Sequence, residues 1–271
     1  MSFTNRTVII TGASFGVGRA TAESFHRMGA NVVLVARRAE PLEQAADAIG
    51  ERNRIMIVAA DVVDNAALAR MVSAAAERFG GVYGLVNNAG AHFRGEVATR
   101  EAAELSTMVD VNLRAPIVLS RLVMPHMQAE GGFIVNVASL AGKLPLDGAA
   151  TYSATKFGLR AFSLALAEEL RATKIRVSVV SPGPIDTGFI MNELDEVADI
   201  VFSQTMCSAE DVAQMIVDCA RDGRPEREFP VGGGKLATLG YLAPSLRRWL
   251  KPMLERKGAA IKQRLRRERG D

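Results

Sequence analysis

The sequence predicts an α/β fold: a doubly wound parallel sheet with helices on both faces. Short runs rich in β-branched residues alternate with stretches of helical period along most of the chain, and that alternation is the mark of successive βαβ units. The runs are continuously apolar, as strands buried on both faces are. The first of them passes through a glycine-rich turn directly into the first helical stretch.

In chain order, strands are expected at Thr7–Thr11, Asn31–Ala36, Arg54–Ala60, Gly84–Asn87, Gly132–Ser139 and Ile175–Ser181. Helical periodicity covers Gly18–Met28, with Gly29 as its stop, then Ala66–Phe79, Glu101–Gln128 and Thr155–Arg171, and a further helix starts near Glu40. Crossovers between parallel strands are right-handed. There is no internal repeat or low-complexity segment, and no linker before about residue 230. The expected organisation is one nucleotide-binding domain, residues 1–235, followed by a basic amphipathic extension, residues 236–271.

Composition narrows the function. The chain has 271 residues, 48% hydrophobic and 23% charged, ordinary for a globular domain that needs no staples. Two cysteines, Cys207 and Cys219, are too few for a disulfide framework and fit buried thiols in a reducing cytoplasm. The N-terminus lacks the pattern of a secretory signal, and no run of ~18 apolar residues is present. Net charge is +3, but Tyr241–Asp271 holds ten Lys or Arg against three Asp or Glu, so the remainder is −4. A basic tail on an acidic body argues against a nucleic-acid-binding core. The three histidines form no ligand-spaced cluster, so no metal is expected.

The turn after the first strand reads TGASFGVG, with Gly12, Gly16 and Gly18 around Ser14, Phe15 and Val17. Glycine permits a tight turn and close approach of backbone N–H groups to a pyrophosphate, and the next helix presents its positive end to the same anion. The TGxxxGxG spacing resembles the short-chain dehydrogenase/reductase family. The resemblance, over about residues 6 to 232, implies a Rossmann-type sheet of about seven strands. It also implies a cytoplasmic oxidoreductase that assembles as a homodimer or homotetramer.

Where an NAD-binding fold places an acid for the ribose 2′-hydroxyl, this chain has Ala36 followed by Arg37 and Arg38. Forked guanidinium donors suit a phosphate, so NADP(H) is expected over NAD(H). Phe15 stands where some NADP-using relatives carry a basic residue. The resemblance further assigns Asp61 and Val62 to the adenine. It sets the NNAG segment, with Asn88, Ala89 and Gly90, beside the adenine-side ribose.

Tyr152 and Lys156 stand four positions apart in TYSATKFG, which puts them on one helix face. A phenol of pKa about 10 must come down by ~3 units, or ~4 kcal/mol, to exchange a proton near neutrality. A cation ~4 Å away supplies that at an effective dielectric of ~20. Ser139 lies thirteen residues before Tyr152, the family's spacing for the serine that shares the substrate oxygen with the tyrosine. The resemblance makes Asn112 the fourth member of the catalytic set, holding a water in a proton relay, and has Lys156 also grip the nicotinamide ribose. In SPGPIDTGF it implies that Pro182–Gly183 pass the nicotinamide, and that Ile185 and Thr187 hold its carboxamide.

A substrate should enter over the carboxyl ends of the strands, among His92, Phe93, Leu140, Lys143, Leu144, Pro145 and Pro184. The lid, Gly188 to Met206, carries Phe189, Ile190, Met191, Leu194, Val201 and Phe202. These suit a fairly apolar alcohol or ketone, or simply pack the lid. In the tail, Leu242, Leu246, Trp249, Leu250 and Met253 fall at helical spacing, with Pro244, Pro252 and Gly258 as breaks. Docking on its own or a partner subunit is favoured over contact with an anionic membrane surface or disorder. The expected activity is hydride transfer between NADP(H) and a small-molecule alcohol or carbonyl compound. A reductase of 3-oxoacyl thioesters on an acyl carrier is the alternative, and a cofactor-binding protein without turnover, attached by its tail, is the rival from another class.

Overall fold

The computed structural model describes residues 2–127, 130–188 and 195–269. Seven strands form one parallel sheet in the order β3-β2-β1-β4-β5-β6-β7. They are β1 (Thr7–Thr11), β2 (Asn31–Ala36), β3 (Ile55–Ala59), β4 (Gly84–Asn87), β5 (Gly132–Val137), β6 (Ile175–Pro182) and β7 (Glu226–Phe229). Strand order reverses between β1 and β4, in register from Val8 against Gly84 to Ile10 against Val86. The carboxyl ends of the strands meet there in a crevice suited to ligands.

The helices are α1 (Gly16–Arg27), α2 (Ala39–Ile49), α3 (Asn65–Phe79), α4 (Ala102–Val109), α5 (Ala115–Val123), α6 (Ala150–Glu169), α7 (Ala209–Asp222), α8 (Gly233–Leu242) and α9 (Pro244–Arg269). Each amphipathic helix turns its apolar stripe to the sheet, giving one core on either side of it. On one side Phe3, Phe25, Tyr83 and Phe133 interlock, with Phe25 and Phe133 stacked at 5.5 Å and Phe3 edge-on to Phe25 at 5.0 Å. On the other, Leu68, Leu85, Leu119 and Ile134 fill the space under α3 and α5. Gly84 is required here, since a Cβ would lie 2.2 Å from the Phe133 ring.

Several boundaries differ from the sequence reading. The Glu101–Gln128 helix is divided: a π turn, Asp110–Arg114, separates α4 from α5, and a 3-10 turn follows at Met124–His126; Gln128 lies outside the described residues. Helix α6 begins five residues before the expected Thr155, so Tyr152 sits in its first turn. Ser139 lies beyond the end of β5 and caps a 3-10 turn, Leu140–Gly142. Strand β7 escaped notice because EREF has no apolar run; its acids are half-buried and ion-paired instead. The tail is not broken at Pro252 or Gly258, for α9 runs through both. Gly258 serves close packing: a Cβ there would lie 1.7 Å from the Asp199 carbonyl oxygen. Ile261 and Leu265 of α9 pack against Val197 and Phe202.

Phe133 joins all three other rings of the aromatic group. Truncation of a fully buried ring costs about 3–5 kcal/mol. Urea unfolding of Phe133→Ala should show a loss in that range, and a loss under 1 kcal/mol would mean the cluster is not the organising part of this core.

Candidate active site

A cavity of about 900 Å³ opens over the crevice, lined by the β1–α1 turn, the loop after β4, the 3-10 turn after β5, the start of α6 and the segment after β6. Its floor is built by side chains that hold loops together. The Thr11 hydroxyl accepts from the backbone N–H groups of Asn88 and Ala89, each at 3.0 Å. The Asn88 amide donates back to the Thr11 and Gly12 carbonyls at 3.0 and 3.3 Å. Gly12 and Gly16 have φ of +66° and +50°, and a Cβ on Gly18 would lie 2.1 Å from the Gly12 oxygen. Helix α1 has no side-chain cap at Phe15, so the N–H groups of its first turn face the cavity without an internal partner. This glycine cradle beside a bare helix N-terminus fits an elongated anionic ligand of the dinucleotide kind.

The expected contacts divide. Gly12, Ser14, Phe15, Gly16, Val17, Asn88, Ala89, Gly90, Pro182, Gly183, Ile185 and Thr187 all line the cavity, as does Arg38. Gly18 is buried behind the turn, while Arg37, Asp61 and the buried Val62 do not reach the cavity wall. Asp61 instead accepts from the Val63 backbone N–H at 3.1 Å. Of the two arginines, both exposed, Arg38 lines the cavity and Arg37 does not.

At the far end Ser139, Tyr152 and Lys156 line the cavity together, while Asn112 is buried off its wall. The Lys156 ammonium, 4% exposed, donates to the Val137 carbonyl at 2.9 Å and lies 5.7 Å from the centre of the Tyr152 ring. The Ser139 side chain stands beside the Tyr152 hydroxyl, and its oxygen accepts from the Ala141 N–H at 3.1 Å. Gly142 sets this register, because a Cβ would lie 2.6 Å from the Lys156 carbonyl oxygen and hold the serine turn off α6. Asn112, fully buried in the π turn, accepts from the Ala91 N–H and donates to the Ala91 carbonyl, both at 2.8 Å. It therefore pins the loop that follows Gly90. π turns of this sort recur where a helix must place one side chain out of sequence.

The electrostatics correct the sequence argument. Burial pushes the Tyr152 phenol above its ordinary value; the Ser139 side chain and the nearby Arg94 guanidinium oppose it. The cation acting on the phenol is thus Arg94, while Lys156 is itself pushed down to about 8 by burial. His92 and Arg94 are the residues the sequence reading undervalued. The His92 ring stacks on the Tyr152 ring, centroids 4.0 Å apart and planes within 11°. Arg94 Nη1 lies 2.9 Å from His92 Nδ1. Since a guanidinium only donates, the imidazole proton is on Nε2. Burial, then Arg94 and Lys156, lower His92 to about 3, so it is a neutral plate against the phenol. Its position two residues past the NNAG segment is the only hint the sequence offered.

On the substrate side His92, Leu140, Leu144 and Pro184 line the cavity, as does Val201, whereas Phe93 and Pro145 do not. Lys143 is withdrawn from it: at 8% exposure it bonds Glu228 at 2.6 Å and Glu226 at 3.0 Å. Phe202 is likewise turned away, fully buried against α9. Phe189, Ile190, Met191 and Leu194 lie outside the described residues. Leu146 and Ala237, the latter from α8, complete the apolar wall. Both cysteines are buried and free, their thiols pushed up to about 11 by burial, which leaves them no nucleophilic role.

The chain matches the short chain dehydrogenase family over residues 6–198. It is 34% identical over 216 residues to sulfoacetaldehyde reductase 2 of Chromohalobacter salexigens, covering 77% of this chain and 86% of that protein. It is 30% identical over 185 residues to an uncharacterised oxidoreductase of Staphylococcus aureus, 68% of this chain and 80% of that one. Among solved structures, a short-chain dehydrogenase/reductase of Brucella melitensis aligns with a TM-score of 0.74 at 32% identity, over 86% of this chain and 99% of that chain. A 3-ketoacyl-(acyl-carrier-protein) reductase from the same organism, complexed with NADH, aligns at 0.77 and 29% identity, over 84% and 99%.

The Lys156 ammonium predicts a pH signature. The unfolded chain holds that proton up to about 10.5 and the folded chain only to about 8, so the lysine's contribution to stability rises with pH across that window. Lys156→Met removes the buried charge. Thermal unfolding without nucleotide should show the variant's stability relative to the parent falling by a few kcal/mol between pH 8 and 10.5. A pH-independent difference would mean the ammonium is not desolvated.

Proposed function

This chain belongs to the short-chain dehydrogenase family, and from that premise we propose that it is an NADP(H)-dependent oxidoreductase interconverting a fairly apolar secondary alcohol and its ketone. The observation that carries the reading is the convergence of Ser139, Tyr152 and Lys156 at the end of a glycine cradle. The bound nicotinamide would supply or accept hydride at the carbonyl carbon. All else falls to the chain.

In the reducing direction, the Tyr152 hydroxyl donates its proton to the carbonyl oxygen as hydride reaches the carbon. The Ser139 hydroxyl donates a hydrogen bond to the same oxygen. Two donors aimed at a developing alkoxide in a dry site stabilise it far more than water would. Both are neutral in the resting site: burial keeps the phenol protonated, as a proton donor requires. In the oxidising direction Tyr152 must accept the proton, and the Arg94 charge favours that state. His92 fixes the plane of the phenol by stacking, and Asn112 fixes the loop that carries His92. Lys156, which lines the cavity, would hold the nicotinamide ribose, as the family resemblance implies.

The NADP(H) preference rests on Arg38 at the cavity wall and on the absence of an acid at Ala36. The apolar substrate rests on Leu140, Leu144, Leu146, Val201 and Ala237. Residues 1–235 form the catalytic domain in this reading, and the active form is a homo-oligomer. A 3-oxoacyl thioester on an acyl carrier is the second reading, supported by the similarity to a 3-ketoacyl reductase and by the basic tail.

Tyr152→Phe should bind NADPH as the parent does and lose at least 100-fold in kcat, in keeping with the ~10²–10⁴ contribution of a positioned acid. Full-speed turnover by that variant in a screen of carbonyl compounds would end the assignment. Arg38→Ala should raise the Kd for NADPH about tenfold, a ~1.4 kcal/mol loss, with little change for NADH. Arg37→Ala should be milder. Equal weakening of both nucleotides by Arg38→Ala would remove the phosphate from the account.

A further inference from the structure

Helix α9 presents two unlike faces. The inner one is fastened to the body. Lys262, 7% exposed, donates to the Val197 carbonyl at 2.8 Å. Lys251 pairs with Asp147 at 2.7 Å, and Arg266 pairs with Asp195. Gly258 lies flush on Asp199. The outer face is a stripe at helical spacing through Trp249, Met253, Arg256, Ala260 and Arg267, all exposed.

Three properties of this stripe decide what it meets. Its first half is apolar, with Trp249 76% and Met253 60% exposed, and Leu242 at the end of α8 adds a third apolar group at 73%. Its second half and its flanks are cationic, through Arg256 and Arg267 with Arg248 and Lys257. One acid falls between Arg248 and Arg267, Glu255, and it pairs with Lys251 of its own helix at 3.6 Å. The helix itself does not line the cavity but packs beside two parts of its wall. Asp147, its partner at one end, follows the cavity residue Leu146, and Val201, a cavity residue, shares a cluster with Ile261 and Leu265.

We propose that the outer face of α9 is a docking surface for an anionic lipid bilayer. Interfacial helices bury apolar side chains at the acyl boundary while Lys and Arg meet the headgroups, and tryptophan favours that depth. Each basic residue near an anionic surface contributes about 1 kcal/mol. A nucleic acid would satisfy the cations and leave Trp249, Met253 and Leu242 in water. A second copy set stripe to stripe would bring Arg256, Lys257 and Arg267 of both copies together, with Glu255, already paired to Lys251 of its own helix, as the one acid beside them. A bilayer satisfies both halves at once. The contact is interfacial, for no helix among the described residues is long and apolar enough to cross a membrane.

The test uses the full chain and no turnover, so it stands apart from the oxidoreductase reading. The protein is sedimented with vesicles of phosphatidylcholine, with and without phosphatidylglycerol. Trp249 is the only tryptophan, so its emission reports the face directly. Binding to the anionic vesicles alone, with a blue shift of Trp249 that fades as salt is raised, is the expected result. An Arg256→Gln, Lys257→Gln, Arg267→Gln variant should bind on the order of 100-fold more weakly, and an unchanged circular dichroism spectrum and unfolding midpoint would show that it is folded. The proposal is overturned if the parent stays in solution with both vesicle types, or binds both equally. It is also overturned if Trp249→Ala converts an oligomer to a smaller species on size exclusion, which would assign the face to a second copy.

Discussion

The site depends on keeping one ammonium group dry. Lys156 sits almost wholly out of solvent with the Val137 carbonyl as its hydrogen-bond acceptor. Burial disfavours its charge and lowers its pKa to about 8. Without nucleotide the chain therefore carries a charge in an unfavourable place. Any ligand that brings acceptor oxygens or negative charge to Nζ relieves that cost, and the relief appears as affinity. The same placement joins the end of β5 to the start of α6, so Tyr152 and Ser139 inherit their positions from it. Gly142 is what lets the two segments close: with any larger residue the serine turn would stand away from the helix.

A second constraint acts on the opposite end of the cavity. Thr11 and Asn88 exchange hydrogen bonds with the backbone of one another's loops, and so tie the β1–α1 turn to the loop after β4. That loop continues through Gly90 to Ala91, where Asn112 takes both backbone groups, and then to His92 on the phenol. Part-buried hydrogen bonds thus tie the glycine cradle to the loop that ends at Ala91, and the stacked His92 ring carries the connection on to Tyr152. Hydrogen bonds that tie one loop to the next restrict their movement, which is what positioning two reactants demands.

Much of this was legible in the chain, for identifiable reasons. Strands buried on both faces leave continuous apolar runs, so six of the seven were readable, and the glycine turn announced itself by spacing. Strand β7 was not readable, because Glu226 and Glu228 work there by pairing with Lys143 and Arg160, a relation between residues far apart in sequence. For the same cause Lys143 read as a pocket residue and proved to be an ion-pair partner. The four catalytic candidates were readable as a motif, but the electrostatics were not. A one-dimensional view saw a lysine one turn from a tyrosine and credited it with acidifying the phenol. The fold puts burial first, with Ser139 and Arg94 opposing it. Periodicity likewise failed at the π turn, where a local insertion changes the helix repeat without changing composition.

The tail couples to the site through packing rather than through the catalytic groups. Val201 lines the cavity and belongs to the cluster of Val197, Phe202, Ile261 and Leu265. Ala237 of α8 lines the cavity from the other rim. Helix α9 thus ties together two walls that the sheet alone does not hold. Close packing transmits displacement, and at Gly258 the helix touches the Asp199 backbone with no side chain between them to absorb it. The packing of α9 therefore bears on where Val201 stands in the cavity wall, even though no tail residue described lines the cavity from Pro244 onward.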